Sequence, residues 1–220
     1  MPEILYQDAQ LTVCIKPAGA ASEGDAPQAM PSLLRAQLGC AVYPVHRLDQ
    51  PVGGVMVYAK TPEAAAALTS CIQSGALYKE YLAVLPQLPQ EAEATLHDLL
   101  YYDRRAGKSY PVARKRAGVK DASLFYRVEQ ESDGLCLVRI HLHTGRTHQI
   151  RVQFASRRLP LLGDGKYGSR ANCPLALWSA QLRFANPTDG AEQCFAAFPP
   201  DVFPWNRFDL AAGFVQPLEG

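Results

Sequence analysis

The sequence predicts an α+β fold in which a largely antiparallel, mixed central sheet is flanked by helices. Segments with the alternating, branched-residue pattern of strands outnumber helical segments, and short turns separate many neighbouring strands. The 220 residues, 48% of them hydrophobic, are enough to bury a substantial core. These three observations set the fold class before any motif is considered.

The first half of the chain carries the clearest boundaries. An aspartate-containing turn separates the first two strands, and Lys16-Pro17-Ala18-Gly19 ends the second because proline and glycine interrupt regular structure. The alanine-rich stretch after Thr61 predicts a helix that stops at Gly75. The predicted elements are strands Glu3–Tyr6 and Leu11–Lys16, a helix over about 31–39, strand Gly53–Lys60, helix Pro62–Ser74 and strand Tyr78–Leu85.

Beyond Pro86 the pattern is mostly that of strands. We expect them at about 95–101, 121–130, 134–143 and 176–184, with one helix at about Thr147–Ser156. The proline-rich end, which contains Pro199, Pro200 and Pro204, is expected to run over the surface. Because nothing reads as a linker or a repeat, residues 1–220 are expected to form a single domain.

Composition narrows the classes of protein. No stretch approaches the roughly 20 apolar residues that span a bilayer, and the N-terminus lacks the pattern of a secretory signal, so we expect a cytoplasmic protein without a membrane partner. The six cysteines contain no Cys-x-x-Cys pair, which favours buried thiols over zinc or redox sites.

Charge is distributed unevenly although the net charge is only +1. Residues 103–120 and 139–170 together hold 14 of the 22 lysines and arginines, against one acid in each segment, Asp103 and Asp164. Such local concentration can create a phosphate-binding surface on a nearly neutral protein. The alternative is two solvated basic faces, and charge alone does not decide between them.

The first candidate site is the loop His46-Arg47-Leu48-Asp49, which is followed by Pro51 and by Gly53-Gly54. A carboxylate flanked by basic residues, in a loop before a core strand, is placed where a rigid scaffold can present a reactive group. The alternative is that Asp49 caps local amides, since aspartate is common in turns.

Two further segments carry polar or aromatic groups of interest. Tyr81 lies on the strand Tyr78–Leu85, where it can stack on a base or simply fill the core. The segment Thr144–Arg151 closes a strand and opens a helix for which Thr147 can serve as the cap. A metal site built on His141, His143 and His148 is the alternative here, but no cluster of carboxylates accompanies these histidines, and we expect no metal.

In order along the chain, these segments resemble the signature of RluA-type pseudouridine synthases. That signature comprises Lys-Pro-x-Gly, His-Arg-Leu-Asp, Lys-x-Tyr-x-Ala, Thr-Gly-Arg-x-His-Gln-Ile/Leu-Arg and Gly-Asp-x-x-Tyr-Gly. The matching segments are Lys16–Gly19, His46–Asp49, Lys79–Ala83, Thr144–Arg151 and Gly163–Gly168, and the likeness extends from about residue 3 to about residue 208. Pro51-Val52 stands where the family usually has Thr-Ser, and no room remains for an additional N-terminal RNA-binding domain.

The resemblance implies a pseudouridine-synthase fold with a catalytic cleft, and an enzyme that isomerises uridines in RNA. It implies that Asp49 is the catalytic carboxylate, acting either as nucleophile at C1′ or as base at C2′, with Arg151 as its basic partner. Tyr81 would stack on the flipped base. Because the reaction involves no redox change, no cofactor is expected.

The expected partner is an rRNA or tRNA stem-loop, and we expect a monomer with no obligate protein partner. The candidate RNA contacts are Arg47, Arg146, His46, His148, Gln149, Arg104, Arg105, Arg114, Lys115 and Arg116. A non-catalytic RNA-binding module and a histidine-based metal hydrolase are the two alternative functions; loss of the three catalytic residues would favour the first, and bound zinc the second.

Overall fold

The computed structural model describes residues 1–213 and 218, which fold into strands and three α-helices joined by short loops. The strands are β1 (Glu3–Gln7), β2 (Leu11–Lys16), β3 (Tyr43–Pro44), β4 (Gly53–Ala59), β5 (Tyr78–Leu85), β6 (Glu93–Asp103), β7 (Lys108–Pro111), β8 (Val119–Ser132), β9 (Leu135–Leu142), β10 (Leu177–Ala185) and β11 (Glu192–Ala196). The helices are α1 (Met30–Leu38), α2 (Pro62–Ser74) and α3 (Gln149–Ser156).

The fold divides into two units, and the first contains Met1–Lys79 and Trp178–Pro199. Its sheet has the order β1-β2-β4-β10, with β3 paired to β4 and β11 paired to β10. The β4–β10 pair is parallel, and the other pairs of this unit are antiparallel. This one parallel pair makes the sheet mixed, as expected from the sequence.

Helix α2 covers one face of the first unit's sheet. Thr61 caps its start by accepting a hydrogen bond from Ala64 N–H at 3.2 Å, and Gly75 in the left-handed conformation ends it. Ala64 and Leu68 of this helix are buried against core residues that include Leu11 and Val57. A central strand buried on both faces explains why every residue of β4 is enclosed.

The second unit contains Glu80–Leu177 and the described residues from Pro200 onward. Its strands follow the order β5-β9-β8-β6-β7 and are antiparallel throughout. Helix α3 packs on β6 and β7. The ring of Phe154 meets Tyr126 at a centroid distance of 5.2 Å, and Val152 packs with Leu100 and Ala122.

A buried ion pair joins β5 to β9 in the second unit. Arg139 donates from Nε and Nη2 to the two carboxylate oxygens of Glu80 at 3.0 and 2.9 Å, and both side chains are almost completely enclosed. Because an unpaired buried charge is costly, two opposite charges in bidentate geometry are the arrangement that such a position requires.

Most of the predicted elements are confirmed, and α2 and β5 span their predicted ranges. The expected cap at Thr147 is wrong. Helix α3 has His148 at its N-cap in the left-handed conformation, without a side-chain cap, because the Gln149 side chain reaches back to accept from Arg146 N–H at 3.0 Å. The short strands β3, β7 and β11 were not predicted. No helix in residues 1–213 is long and apolar enough to cross a membrane.

Candidate active site

Asp49 lies in the loop that connects β3 to β4 in the first unit, where its side chain is partly exposed. The N–H of Val52 donates to the Asp49 carbonyl at 2.9 Å, so residues 49–52 form a tight turn with Pro51 inside it. The carboxylate is therefore presented by a turn whose backbone is closed on itself.

The residue before Asp49 is fixed by a buried serine. Ser22 Oγ donates to the Leu48 carbonyl at 2.8 Å and accepts from Leu48 N–H at 3.0 Å. The Ser22 carbonyl in turn accepts from the Tyr58 hydroxyl at 2.9 Å, inside the core. Because the Ser22 side chain bonds both backbone groups of Leu48, the backbone of the loop is held in place immediately before Asp49.

The residue after Asp49 is fixed by Lys16, the lysine of Lys-Pro-x-Gly. Its side chain is fully buried, and Nζ donates to the carbonyls of Pro17, Ala20 and Gln50 at 3.1, 2.6 and 3.1 Å. Burial lowers the pKa of Lys16 to about 8, and the negative charge of Asp49 opposes that shift. Lys16 therefore both anchors the loop and lies within electrostatic reach of the carboxylate.

Two more hydrogen bonds connect the Asp49 loop to the Lys16–Gly19 segment. Gly19 N–H donates to the Gln50 carbonyl at 2.7 Å, and Gln50 Nε2 donates back to the Gly19 carbonyl at 3.0 Å.

Farther along, Gly54 has φ +124°, and a Cβ at that position would lie 2.2 Å from the Ser179 carbonyl oxygen. Only glycine fits where β4 approaches β10 this closely.

His46, at the start of the loop, is a neutral hydrogen-bond acceptor. Its Nε2 accepts from Val57 N–H at 3.1 Å, which requires an unprotonated nitrogen there. Burial and then the charge of Lys79 lower the pKa of His46 to about 3. His46 therefore orders the loop, whereas its neighbour Arg47 is exposed and pairs with Glu23 at 3.1 Å.

In the second unit, Tyr81 lies on β5 opposite Ile140 of β9, and only 6% of the residue is exposed. Lys79 and Ala83, which share its face of the strand, are also buried. The strand is enclosed on both sides, so a base could reach this ring only at the small part that remains open.

Arg151 is buried in the first turn of α3 and is held by Asp164. Its Nε donates to Oδ2 and its Nη2 to Oδ1, both at 2.8 Å, which is a bidentate pair. The guanidinium carbon also lies 5.2 Å from the ring centre of Tyr167. Arg151 was expected to be the basic partner of Asp49, which belongs to the first unit. Within the second unit, Arg151 pairs with Asp164.

Asp164 and Tyr167 were not predicted as site residues, although they belong to the Gly163–Gly168 segment. Both residues occupy fixed positions of the Gly-Asp-x-x-Tyr-Gly pattern, which is the signal that could have identified them. The segment was instead interpreted as a glycine-rich turn. The Tyr167 hydroxyl accepts from Ser109 N–H at 2.9 Å and lies 2.9 Å from His148 Nδ1. One aromatic side chain thus connects the start of α3 to strand β7.

Gln149 is buried, and its amide is bonded to the protein on both sides. Its Oε1 accepts from Thr144 Oγ1 at 2.7 Å, and its Nε2 donates to the Ser123 carbonyl at 3.0 Å. The side chains of His148 and Gln149 therefore order the entry to α3. Arg146 is partly exposed and donates from Nε to the Asp121 carbonyl at 2.8 Å.

The five candidate RNA-contact residues of the β6–β8 region are all exposed. Lys115 pairs with Asp121 at 2.9 Å, and Arg116 lies over the ring of Tyr101 at 5.1 Å. The exposed members are Arg104, Arg105, Arg114, Lys115 and Arg116. They project into solvent, as a phosphate-binding surface requires.

Two of the three histidines considered for a metal site, His141 and His143, contact each other. The rings of His141 and His143 meet edge to face with centroids 4.6 Å apart, and His143 Nδ1 lies 3.1 Å from Ser123 Oγ. In the part of the chain that the structure describes, no group of three or more histidine, cysteine, aspartate and glutamate side chains could hold a metal ion.

The match to a known protein family defines the class of this protein. Residues 10–156 match the RNA pseudouridylate synthase family, and the chain belongs to that family. Two solved human structures, RNA pseudouridylate synthase domain containing 1 and domain containing 4, share the fold. Their TM-scores are 0.76 and 0.74 at 23% and 24% identity; the matches cover 92% and 90% of this chain and 85% and 88% of theirs.

The chain is also similar to several pseudouridine synthases from bacteria. It is 32% identical to an uncharacterised RNA pseudouridine synthase of Bacillus subtilis, over 91% of this chain and 70% of that protein. It is 33% identical to the ribosomal large subunit pseudouridine synthase D of Vibrio cholerae, over 90% and 67%. The tRNA pseudouridine synthase C of Pasteurella multocida is 32% identical, over 76% and 74%.

The chain spans between 52% and 74% of the length of these and similar relatives. The α+β fold class and the likeness to RluA-type synthases are confirmed. The chain is an RNA pseudouridine synthase, an enzyme of the isomerase class.

Proposed function

We propose that this enzyme converts uridines of an rRNA or tRNA stem-loop to pseudouridine, with Asp49 as its catalytic carboxylate. The observation that carries the proposal is the anchoring of the Asp49 loop. Ser22 fixes Leu48, Lys16 fixes Gln50, and the Val52 N–H closes the turn, while the Asp49 side chain stays partly exposed. Holding a reactive group in one orientation is what positional catalysis needs.

The choice of RNA rests on the relatives. One is named for the ribosomal large subunit and another for tRNA, and both are about one-third identical to this chain. RNA recognition of this kind relies on unstacked bases and backbone shape, which a stem-loop supplies. We place the reaction in the cytoplasm and take the active form to be a monomer.

The chemistry breaks the bond between ribose C1′ and uracil N1 and forms a bond between C1′ and C5. The base rotates between these steps, and the C5 proton leaves while N1 gains one, so atoms and charge balance without a cofactor. The Asp49 carboxylate serves either as nucleophile at C1′ or as base at C2′, and both roles require the ionised form. The buried Lys16 lies within electrostatic reach of this carboxylate.

Arg151 and Tyr81 are proposed as the other catalytic residues. Arg151 supplies a buried positive charge whose direction is fixed by the bidentate pair with Asp164. Tyr81 supplies an aromatic ring on a rigid, enclosed strand, suited to packing against a base that has left its stack. Both residues occupy the positions of the matching family segments.

Exposed basic side chains supply the proposed phosphate contacts. The candidates are Arg47, Arg146, Arg104, Arg105, Arg114, Lys115 and Arg116. Arg47 would exchange its pairing with Glu23 for a phosphate, a small loss because both groups are more than half exposed. His46, His148 and Gln149 act indirectly in this proposal, by holding the loop and the helix entry.

The test compares wild type with Asp49→Asn in cells that lack their own copy of the enzyme, with pseudouridines mapped across total RNA by chemical labelling. Asparagine keeps the shape of the side chain but cannot ionise. We expect wild type to restore a defined set of sites and Asp49→Asn to restore none. Asp25→Asn, which alters an exposed aspartate with 94% side-chain accessibility, is the matched control and should behave as wild type.

Restoration of the same sites by Asp49→Asn would contradict the catalytic assignment. Circular dichroism of both purified variants excludes loss of folding as the cause of inactivity. A wild-type protein that restores no site, although it folds and binds RNA, would favour the alternative of a non-catalytic RNA-binding module.

A further inference from the structure

Strands β6 and β7 form a hairpin that presents aromatic side chains to solvent. Tyr101 of β6 and Tyr110 of β7 are directly paired in the antiparallel register, so their side chains lie on the same face. Tyr110 is 41% exposed, whereas its neighbour Ser109, on the other face, is buried. This alternation directs the Tyr110 ring away from the core.

Cationic side chains flank both rings. Lys108 Nζ lies 5.8 Å from the ring centre of Tyr110, and Arg116 covers Tyr101 at 5.1 Å. Asp103, the single acid of residues 103–120, accepts from Arg105 N–H and Ala106 N–H and so closes the tip of the hairpin. Seven lysines and arginines stand against this one acid in residues 103–120, so the tip of the hairpin and the segment that follows β7 carry a local excess of positive charge.

The hairpin is attached rigidly to α3. Ser109 Oγ donates to the Thr147 carbonyl at 2.5 Å, and Ser109 N–H donates to the Tyr167 hydroxyl at 2.9 Å. Lys166 Nζ also donates to the Gly107 carbonyl at 3.0 Å, near the tip. An aromatic ring on a rigid strand loses little freedom when a ligand stacks on it.

We propose that the β6–β7 hairpin is a stacking platform for an unpaired nucleotide of the RNA substrate, with the base on Tyr110 and the neighbouring phosphates on the surrounding lysines and arginines. The inference rests on the proposed function for its substrate class. An exposed aromatic ring among cations is the combination that single-stranded nucleic acid recognises, because every base has a face that stacks and every link carries a negative charge. An acidic protein surface would use the cations but would leave the ring without a partner.

The test measures binding of a fluorescently labelled single-stranded oligouridylate and of an RNA duplex of equal length, each over a series of salt concentrations. Tyr110→Val removes the ring but keeps a residue that favours strands, and Tyr110→Phe keeps the ring. Tyr43→Val, at an exposed tyrosine of the first unit (38% exposed), is the matched control.

Loss of one stacked base should weaken binding of the single strand by about 5-fold to 150-fold for Tyr110→Val. The dependence of its affinity on salt should stay unchanged, because no charge is removed. Tyr110→Phe and Tyr43→Val should bind the single strand as wild type does. All three tyrosine variants should bind the duplex with the affinity of wild type. Arg105→Gln should instead reduce the salt slope by about 1.

Affinity of Tyr110→Val for the single strand within about twofold of wild type would overturn the proposal, as would an equal loss in Tyr110→Phe. A changed salt slope in Tyr110→Val would also overturn it, because the side chain would then act through charge. The binding assay needs no turnover, so its result is independent of the catalytic test. The stacking proposal can be overturned while the wild type still forms pseudouridine, and it can hold even if Asp49→Asn restores the wild-type sites.

Discussion

Replacing Asp164 by asparagine tests how strongly the second unit depends on the Arg151–Asp164 pair. Both side chains are almost fully enclosed, and two hydrogen bonds of 2.8 Å join them. The asparagine side chain would retain one acceptor but lose the charge, so the buried guanidinium would lose its bidentate ion pair with Asp164. Breaking a buried pair by removing one partner typically costs about 3–5 kcal/mol. The backbone bonds that Asp164 makes to Leu161 and Tyr167 are unaffected by the change.

The measurement is the free energy of unfolding from urea titration, followed by circular dichroism, with the slope of the transition checked for constancy between variants. Asp133→Asn is the matched control, because Asp133 pairs with Arg207 at 3.4 Å while both groups are more than half exposed. That variant should unfold as wild type does. A loss of less than about 1 kcal/mol in Asp164→Asn would refute the reasoning, since it would show that water or another group compensates Arg151.

Two further changes test the loop of Asp49 and the strand that follows it. Gly54→Ala should lower the free energy of unfolding by more than about 1–3 kcal/mol, because backbone strain at φ +124° alone contributes that much and the new Cβ would also meet the Ser179 backbone. Gly165→Ala is the control, because a Cβ at that position has open space around it. Equal stability of the two variants would contradict the steric argument. His46 has a folded pKa of about 3, below the ordinary value of 6.5, so the native state stays neutral where the unfolded chain takes up a proton. Its contribution to stability is therefore complete above about pH 6.5 and is lost as the pH falls toward 3, with a slope of up to about 1.4 kcal/mol per pH unit. In urea titrations at several pH values, His46→Gln should show a shallower dependence than wild type, and an identical dependence would show that His46 titrates normally.

Local chemistry was enough to predict the long elements. Helix α2 follows its predicted range because a capping threonine, a proline in the first turn and a final glycine all occur within one short segment. The short strands were missed for the opposite reason. Strand β7 is four residues long, ends at Pro111 and lies in a basic segment, so its sequence favours a loop and only pairing with β6 makes it a strand.

The candidate site was predicted as far as its motifs reach. Asp49, Tyr81 and Arg151 were proposed as site residues from their segments, but the groups that hold them in place were not predicted. Ser22 is 26 residues from Leu48 and Lys16 is 34 residues from Gln50, and one sequence carries no signal for contacts at such separation. These anchors become visible only when β2 and β4 are paired.

The anchors also explain how the Asp49 loop can differ from the family pattern at Pro51-Val52. Loss of the usual Thr-Ser removes two hydroxyls, yet the bonds that hold the loop run through Leu48, Gln50 and the backbone N–H of Val52. None of these bonds uses a side chain at position 51 or 52. Val52 itself is buried at 2% exposure, so an apolar side chain suits its position. Ser22 and Lys16 therefore hold the backbone on both sides of Asp49, and we expect this anchoring to be independent of the residues in which this chain departs from the family.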